Sequence, residues 1–203
     1  IRLGSLEVSL IDERFLDAVK QVKRFAPQFH LSLQSGSNRV LKAMNRHYTR
    51  EEYLEKCALI HEYFPNAAVT TDIIVGFPVE TEEDFCDSLS IVDAAGFAQI
   101  HAFPYSPREG TNAYKKYKEL PFAVKKERLA RLLERGAEQK KKYMEGFIGK
   151  TLEMVPETWT DGYTEGYSEN YIRLYLQGEI EKRPARVCGV RLFREGLEVR
   201  YAP

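Results

Sequence analysis

Three polar side chains stand where an apolar pattern stops: Gln34, Asp72 and Arg108. Gln34 lies between Leu33 and the turn Ser35-Gly36-Ser37, at the end of a short strand pattern. Asp72 interrupts the run 69–77, which is rich in β-branched residues and reads as a strand buried on both faces. An unpaired carboxylate in such a strand costs on the order of several kcal/mol, so Asp72 needs a protein or ligand partner. Arg108 sits in the loop 106–111 after a further strand pattern, 99–105. Gly76 closes the Asp72 strand, and a residue without Cβ lets the backbone approach a flat ligand. An amide, a carboxylate and a guanidinium at successive strand ends form a hydrogen-bonding site for a polar ligand.

Hydrolytic and metal constellations are missing. There is no Gly-x-Ser-x-Gly and no phosphate-binding Gly-rich loop, and the four histidines (His30, His47, His61, His101) have no metal-ligand spacing. Cys57, Cys86 and Cys188 are too far apart in sequence for a zinc ribbon or a disulfide framework. Cys57 and Cys86 read as buried thiols on helices, and the compartment is expected to be reducing, which places the protein in the cytoplasm. No metal ligand set is expected from these residues.

The elements that must position the three polar groups alternate in type. The pattern 2–9 alternates polar and apolar as a strand does, and Asp12 caps a helix carrying Phe15, Leu16, Val19, Val22 and Phe25. Residues 30–34 form a short strand, followed by a helix with Val40, Leu41 and Met44. Thr49 and Glu52 make a capping box for a helix to about residue 63. After the Asp72 strand, 81–84 cap a helix that Gly96 ends, and the strand 99–105 follows. Strands separated by helical stretches mean βαβ units and a parallel sheet, with ligands at the strands' C-terminal ends. Pro121 opens a long amphipathic helix to about residue 147. Beyond it the strand patterns 152–156, 164–167, 171–176, 186–193 and 197–201 predict a small five-stranded antiparallel barrel. The domains expected are therefore 1–148 and 149–203.

The composition supports a folded chain that crosses no membrane. Of 203 residues 43% are hydrophobic and 12% aromatic, enough for a core, and no apolar run reaches membrane-spanning length. Thirty basic residues balance thirty acidic ones, but unevenly: residues 115–150 hold twelve Lys/Arg against five Glu, a net of +7. Such a segment, with Lys140, Lys141 and Lys142 at its end, is a candidate polyanion contact. The chain opens in a strand pattern without an initiator Met, as a piece of a longer protein would.

Three stretches carry a resemblance: HLSLQSGSNRVLKAMNRHYT (30–49), TTDIIVGFPVETEEDF (70–85) and HAFPYSPREGT (101–111). In this order they resemble the second half of the radical S-adenosylmethionine domain of tRNA methylthiotransferases, and GYTEGYSENYIRLYL (162–176) resembles their TRAM domain. The fold implied is α/β: the C-terminal portion of a partial (βα)6 TIM-like barrel, then the TRAM barrel. The activity implied is radical methylthiolation of a modified adenosine beside the tRNA anticodon, and HLSLQSG, MNRHYT and ENYIRL favour N6-threonylcarbamoyladenosine. The resemblance implies S-adenosylmethionine and 4Fe-4S clusters as cofactors, with tRNA and an electron donor as partners. Residue by residue it assigns Gln34, Arg46, Asp72 and Gly76 to the cofactor, and Arg108 to the substrate side. Tyr163, Asn170 and Arg173 would join Lys140, Lys141 and Lys142 in holding RNA. The Cys-x3-Cys-x2-Cys that binds the radical cluster in this family is not among these residues, so the 203 residues alone are expected to be inactive. Competing readings are a non-catalytic RNA-binding module and a ribosomal-protein methylthiotransferase on the same scaffold.

Overall fold

The computed structural model describes residues 1–203. Its first half is a parallel sheet in the order β1 (Ser5–Leu6), β2 (Gln28–Leu31), β3 (Ala68–Val75), β4 (Gln99–Pro104). Helices α1 (Glu13–Lys20), α2 (Asn38–Ala43), α3 (Arg50–Tyr63) and α4 (Glu82–Ala95) connect the strands. The short α5 (Asn112–Lys116) and the long α6 (Phe122–Glu145) follow. Side chains alternate along a strand, and β3 uses this to make two different faces. Val69, Ile73 and Val75 are buried in one cluster with Leu16, Tyr53, Ile60, Phe85, Ile91 and Leu132 from the helices. Asp72 and Ile74 lie half-buried on the other face. The expectation of a strand buried on both faces therefore fails toward its C-terminal end, because no layer covers that end of the inner face.

The edge strand is shorter than its alternation predicts. Only Ser5 and Leu6 pair with β2, and residues 8–10 form a 3-10 turn that buries Val8. An edge strand has a single ladder to hold it, so burial of one apolar side chain takes precedence over further pairing.

Helix starts follow local chemistry. Asp12 accepts from the Phe15 N–H, and Thr49/Glu52 and Thr81/Asp84 form capping boxes. Asp84 does more than cap. One carboxylate oxygen accepts from the Ser37 hydroxyl at 2.6 Å, the other from the Thr81 N–H and hydroxyl at 2.8 and 2.7 Å, and Arg39 pairs with the group. One turn later, Ser88 Oγ accepts the Gly36 N–H at 2.9 Å. A Cβ on Gly36 would stand 2.6 Å from the Asp87 carbonyl oxygen and the Ser88 Cα, so only glycine lets this turn seat on α4. Burial works to raise the Asp84 carboxyl, but donors from Arg39, Ser37 and Thr81 outweigh it and hold the group well below the usual carboxylate range.

The second half is a closed barrel, in the order β5 (Thr151–Thr160), β6 (Tyr163–Ser168), β7 (Arg173–Gln177), β9 (Gly196–Tyr201), β8 (Ala185–Phe193). Its pairs are antiparallel except β7–β9, which is parallel, a departure from the all-antiparallel expectation. The barrel is not a bead on a linker. Met144, at the end of α6, and Phe147 just beyond it belong to the barrel's own core with Leu152, Met154, Leu174 and Val187. Asn170 is 1% exposed and donates to the Asn66 carbonyl at 3.0 Å and the Tyr143 hydroxyl at 2.9 Å, tying the barrel to the sheet.

The Asp84 arrangement predicts a pH signature. Its folded pKa is depressed, so the stability it contributes is present above its unfolded value, about 3.9, and is lost as pH falls through the lower folded value. Replacing Asp84 by Asn should cost about 1.5–3 kcal/mol at pH 7. The gap between wild type and variant in urea unfolding should close as the pH is lowered below about 4; a gap of constant size from pH 7 to 2 would refute the role given to the charge.

Candidate functional site

The chain of contacts that begins on α4 ends at Gln34. Just beyond β2, Tyr48 donates its hydroxyl to the Ser32 and Leu33 carbonyls, and Tyr53 donates to the Leu31 carbonyl. Burial pushes the Tyr48 phenol up to about 12, so it stays a donor at any physiological pH. Gln34 then takes a left-handed backbone, φ 73°. It holds that conformation through two bonds to β3: its N–H donates to the Asp72 carbonyl at 2.8 Å, and its carbonyl accepts from the Ile74 N–H at 2.9 Å. A non-glycine residue in this region costs about 1–3 kcal/mol and persists only where surroundings impose it.

Gln34 and Asp72 border a cleft of about 600 Å³ at the C-terminal end of the sheet, with Ile74, Phe103, Tyr105 and Arg108. An adjoining lobe of about 300 Å³ shares Gln34, Ile74 and Tyr105 and adds Met44, Arg46 and Phe77. The structure thus brings together four of the residues singled out in the sequence: Gln34, Arg46, Asp72 and Arg108. None is fully committed to the fold. Asp72 gives one oxygen to His30 Nε2 at 3.1 Å and keeps the other free of protein partners, with a side chain 30% exposed. Arg46 and Arg108 are exposed and form no ion pair, and the Gln34 amide makes no hydrogen bond within the protein. An acceptor, an amide and two guanidiniums without internal partners suit a ligand bearing hydroxyls and a carboxylate.

Gly76 is placed elsewhere. It has φ 72°, and the position of its missing Cβ is taken by the Lys125 side chain of α6, whose Cγ would be 2.4 Å away. Its N–H donates to the buried Glu80, which pairs with Arg128 at 2.6 Å. Glycine is required here for helix packing, and the residue does not line the cleft, in place of the ligand contact expected of it.

The RNA candidates divide. Tyr163 is half-exposed, bonds Glu198 and stands 4.9 Å from the Phe193 ring. Lys141 and Lys142 are exposed. Asn170, Arg173 and Lys140 instead border a second cleft, about 340 Å³, between the sheet's other end and the barrel. Asn170 has its amide spent on the joint and presents no free hydrogen-bonding face to RNA, while Arg173 pairs with Glu165 at 2.7 Å and stays half-exposed. Much of the basic segment is also spent: Lys125 pairs with Glu119, Arg128 with Glu80, Arg131 with Glu82, and Arg135 lies 3.4 Å from Asp93. Sequence reading missed Arg191, Phe193 and Arg194. The Arg194 guanidinium sits 5.2–5.6 Å from the rings of Phe193, Tyr175 and Tyr163, and alternation along β8 was the signal that could have found this patch.

The cysteines do not converge. Cys57 is buried on α3, Cys86 exposed on α4 and Cys188 half-buried in the barrel, and no three metal-ligating side chains gather anywhere. The residues present do not fit an iron–sulfur cluster, whereas those of the first cleft fit an adenosyl amino acid. No helix is long and apolar enough to cross a membrane.

Residues 5–92 match the Radical SAM superfamily. The chain is 45% identical over 153 residues to the tRNA-2-methylthio-N(6)-dimethylallyladenosine synthase of Thermus thermophilus, covering 75% of this chain and 33% of that protein. It is 43% identical over 152 residues to the threonylcarbamoyladenosine tRNA methylthiotransferase of Aquifex aeolicus, covering 75% and 37%. The chain therefore spans about one third of the length of the curated relatives it matches. Two solved structures share the fold at a TM-score of 0.52: coproporphyrinogen III oxidase HemN from Escherichia coli, at 18% identity over 69% of this chain and 32% of that one, and Elp3 of Methanocaldococcus infernus, at 14% over 94% and 57%.

The backbone of Gln34 supplies a test of whether this residue is kept for stability. Replacing it by Gly removes the left-handed penalty, and replacing it by Ala keeps the penalty while removing the same amide. In chemical denaturation Gln34→Gly should be more stable than Gln34→Ala by about 1 kcal/mol. Equal midpoints would show that the strain is absent.

Proposed function

We propose that this chain, which carries radical SAM sequence at residues 5–92 and whose relatives are tRNA methylthiotransferases, holds S-adenosylmethionine and tRNA for methylthiolation of an N6-modified adenosine beside the anticodon. The observation that carries this reading is the pair of adjoining clefts that share Gln34, one bordered by Asp72 and the other by Arg46, with polar groups left unspent. Asp72 Oδ1 and the Gln34 amide would bond the ribose hydroxyls, and Arg46 would fork onto the carboxylate. Arg108, on the loop at the mouth, faces the side from which substrate enters. When bound, the cofactor supplies the radical chemistry, and the protein supplies position, charge and shelter. This chain offers a cluster no ligand set, so no step is assigned to one here.

On the barrel, Tyr163 and Phe193 offer ring faces beside Arg191 and Arg194, whose guanidiniums also pair with Glu198 and with Glu165 and Asp161, a combination suited to unstacked bases. Lys141 and Lys142 extend the positive surface along α6. Among substrates, we favour N6-threonylcarbamoyladenosine on the motifs HLSLQSG, MNRHYT and ENYIRL. The relatives include enzymes named for both this and the dimethylallyl nucleoside.

The reading is tested in the whole protein that carries this chain, by mass spectrometry of tRNA nucleosides from a host lacking its own methylthiotransferases. Methylthio-threonylcarbamoyladenosine should accumulate with the wild type and fall at least tenfold with Asp72→Ala or Arg46→Ala. Methylthiolation of the dimethylallyl nucleoside instead would overturn the substrate assignment, and none on either would overturn the activity. For RNA, a variant with Lys141→Glu, Lys142→Glu and Arg194→Glu should bind tRNA with a flatter salt dependence, by about 0.7 in the logarithmic slope for each phosphate no longer neutralised. Asn170→Ala should leave that slope unchanged.

A further inference from the structure

Asp72 is reached by a line of side chains that crosses the inner face of the sheet. Arg2 Nε donates to Gln28 Oε1. Gln28 Nε2 donates to Thr70 Oγ1 at 3.2 Å. Thr70 Oγ1 and His30 Nδ1 are 3.0 Å apart, and His30 Nε2 and Asp72 Oδ2 3.1 Å apart. Gln28 and His30 alternate on β2 as Thr70 and Asp72 do on β3, and His30 is the register partner of Thr70. The middle of the line is sheltered, with Gln28 4% and Thr70 7% exposed.

We propose that His30 is a positioning residue for Asp72, donating from Nε2 and accepting from Thr70 at Nδ1, and that Arg2 fixes the amide of Gln28 that donates to Thr70. The two ends orient their neighbours. A guanidinium can only donate and a carboxylate can only accept. Because Arg2 claims the amide oxygen of Gln28, the Gln28 nitrogen must face Thr70 and donate. The Thr70 oxygen then accepts from Gln28, and its own proton points to His30 Nδ1 when that nitrogen is the acceptor. At the far end, a lone pair on Nε2 would face the carboxylate, so Nε2 must carry the proton. The tautomer protonated at Nε2 and accepting at Nδ1 satisfies both neighbours. It holds Asp72 Oδ2 in place and leaves Oδ1 as the single oxygen open to a ligand hydroxyl. Arg2 is itself anchored on the barrel side, 4.2 Å above the Tyr171 ring, which stacks on Tyr167 at 4.6 Å. The functional consequence rests on the adenosyl reading of the cleft, but the direction of the hydrogen bonds does not.

Two measurements on the full 203-residue chain separate these. Long-range proton–nitrogen spectra report the tautomer of each imidazole, and the four histidines are assigned by single His→Gln variants. His30 should show a protonated Nε2 and a hydrogen-bonded acceptor Nδ1, and Thr70→Val should shift Nδ1 toward a free acceptor while Nε2 keeps its proton. A proton on Nδ1, alone or together with one on Nε2, or no response to Thr70→Val, would overturn the proposal. Calorimetric binding of S-adenosylhomocysteine supplies the second arm. Glutamine can donate to Asp72 and accept from Thr70, so His30→Gln should bind within about threefold of wild type and His30→Leu at least tenfold more weakly, about 1.4 kcal/mol. Equal loss in both variants would also overturn the positioning role. A wild-type chain that shows the expected tautomer but binds no probe would overturn the adenosyl reading and leave the hydrogen-bond direction standing.

Discussion

The seating of the Ser35-Gly36-Ser37 turn on α4 is the constraint from which the cleft follows. Two groups on one helix face, Asp84 and Ser88, take hydrogen bonds from both flanks of the turn, and Gly36 permits contact at a distance no Cβ could share. With the turn fixed, the chain between β2 and α2 has too little slack for Gln34 to relax into an ordinary strand conformation. It is pressed into the left-handed region and clipped to β3 on both sides of Ile73. The strain at Gln34 and the burial of the Asp84 charge therefore belong to one balance. Each would destabilise the fold alone, and together they set an amide beside a carboxylate at the open end of a sheet.

The same logic explains where the positive charge of the 115–150 segment goes. α6 must lie across β4 and α4, and α4 presents acids along that side. Arg131 and Arg135 answer Glu82 and Asp93, while Arg128 is drawn inside to meet Glu80. A buried pair of this kind adds little net stability over apolar packing, but removing either partner leaves a stranded charge. Its effect is to fix the register of α6 against the loop that follows β3, where Lys125 fills the space left open by Gly76. Net charge read along a sequence counts these residues as available to a polyanion. Three-dimensional pairing leaves the exposed Lys126 and Lys141 of α6 without a partner, while Lys142 lies 3.7 Å from Asp93.

Legibility in the sequence tracked the range of the interactions responsible. Capping boxes at Thr49 and Thr81, the αL stop at Gly96 and the alternation of strands with helices depend on residues a few positions apart, and each is present as read. The convergence of Gln34, Asp72 and Arg108 also follows, since parallel strands place their C-terminal ends side by side. What failed was set by partners remote in sequence. Asn170 looked like an RNA-facing amide because nothing nearby reveals that Asn66 and Tyr143 claim it, 104 and 27 residues away. Gly76 looked like a ligand contact because Lys125 could not be foreseen behind it. The parallel pairing of β7 with β9 likewise depends on barrel closure, which strand patterns alone do not specify.

These remote contacts make the barrel part of the site's support as well as a neighbour to it. α6 ends inside the barrel's core, Asn170 locks the barrel to the loop before β3, and Arg2 lies on Tyr171 while donating toward the sheet. A permanent donor at one end orients Gln28, an acid at the other orients His30, and such direction costs no conformational search when a ligand arrives. The inner face of a sheet could have been filled with apolar side chains at less risk of unsatisfied polar atoms. A polar line there makes sense only if its last member must point one way, and that member is Asp72.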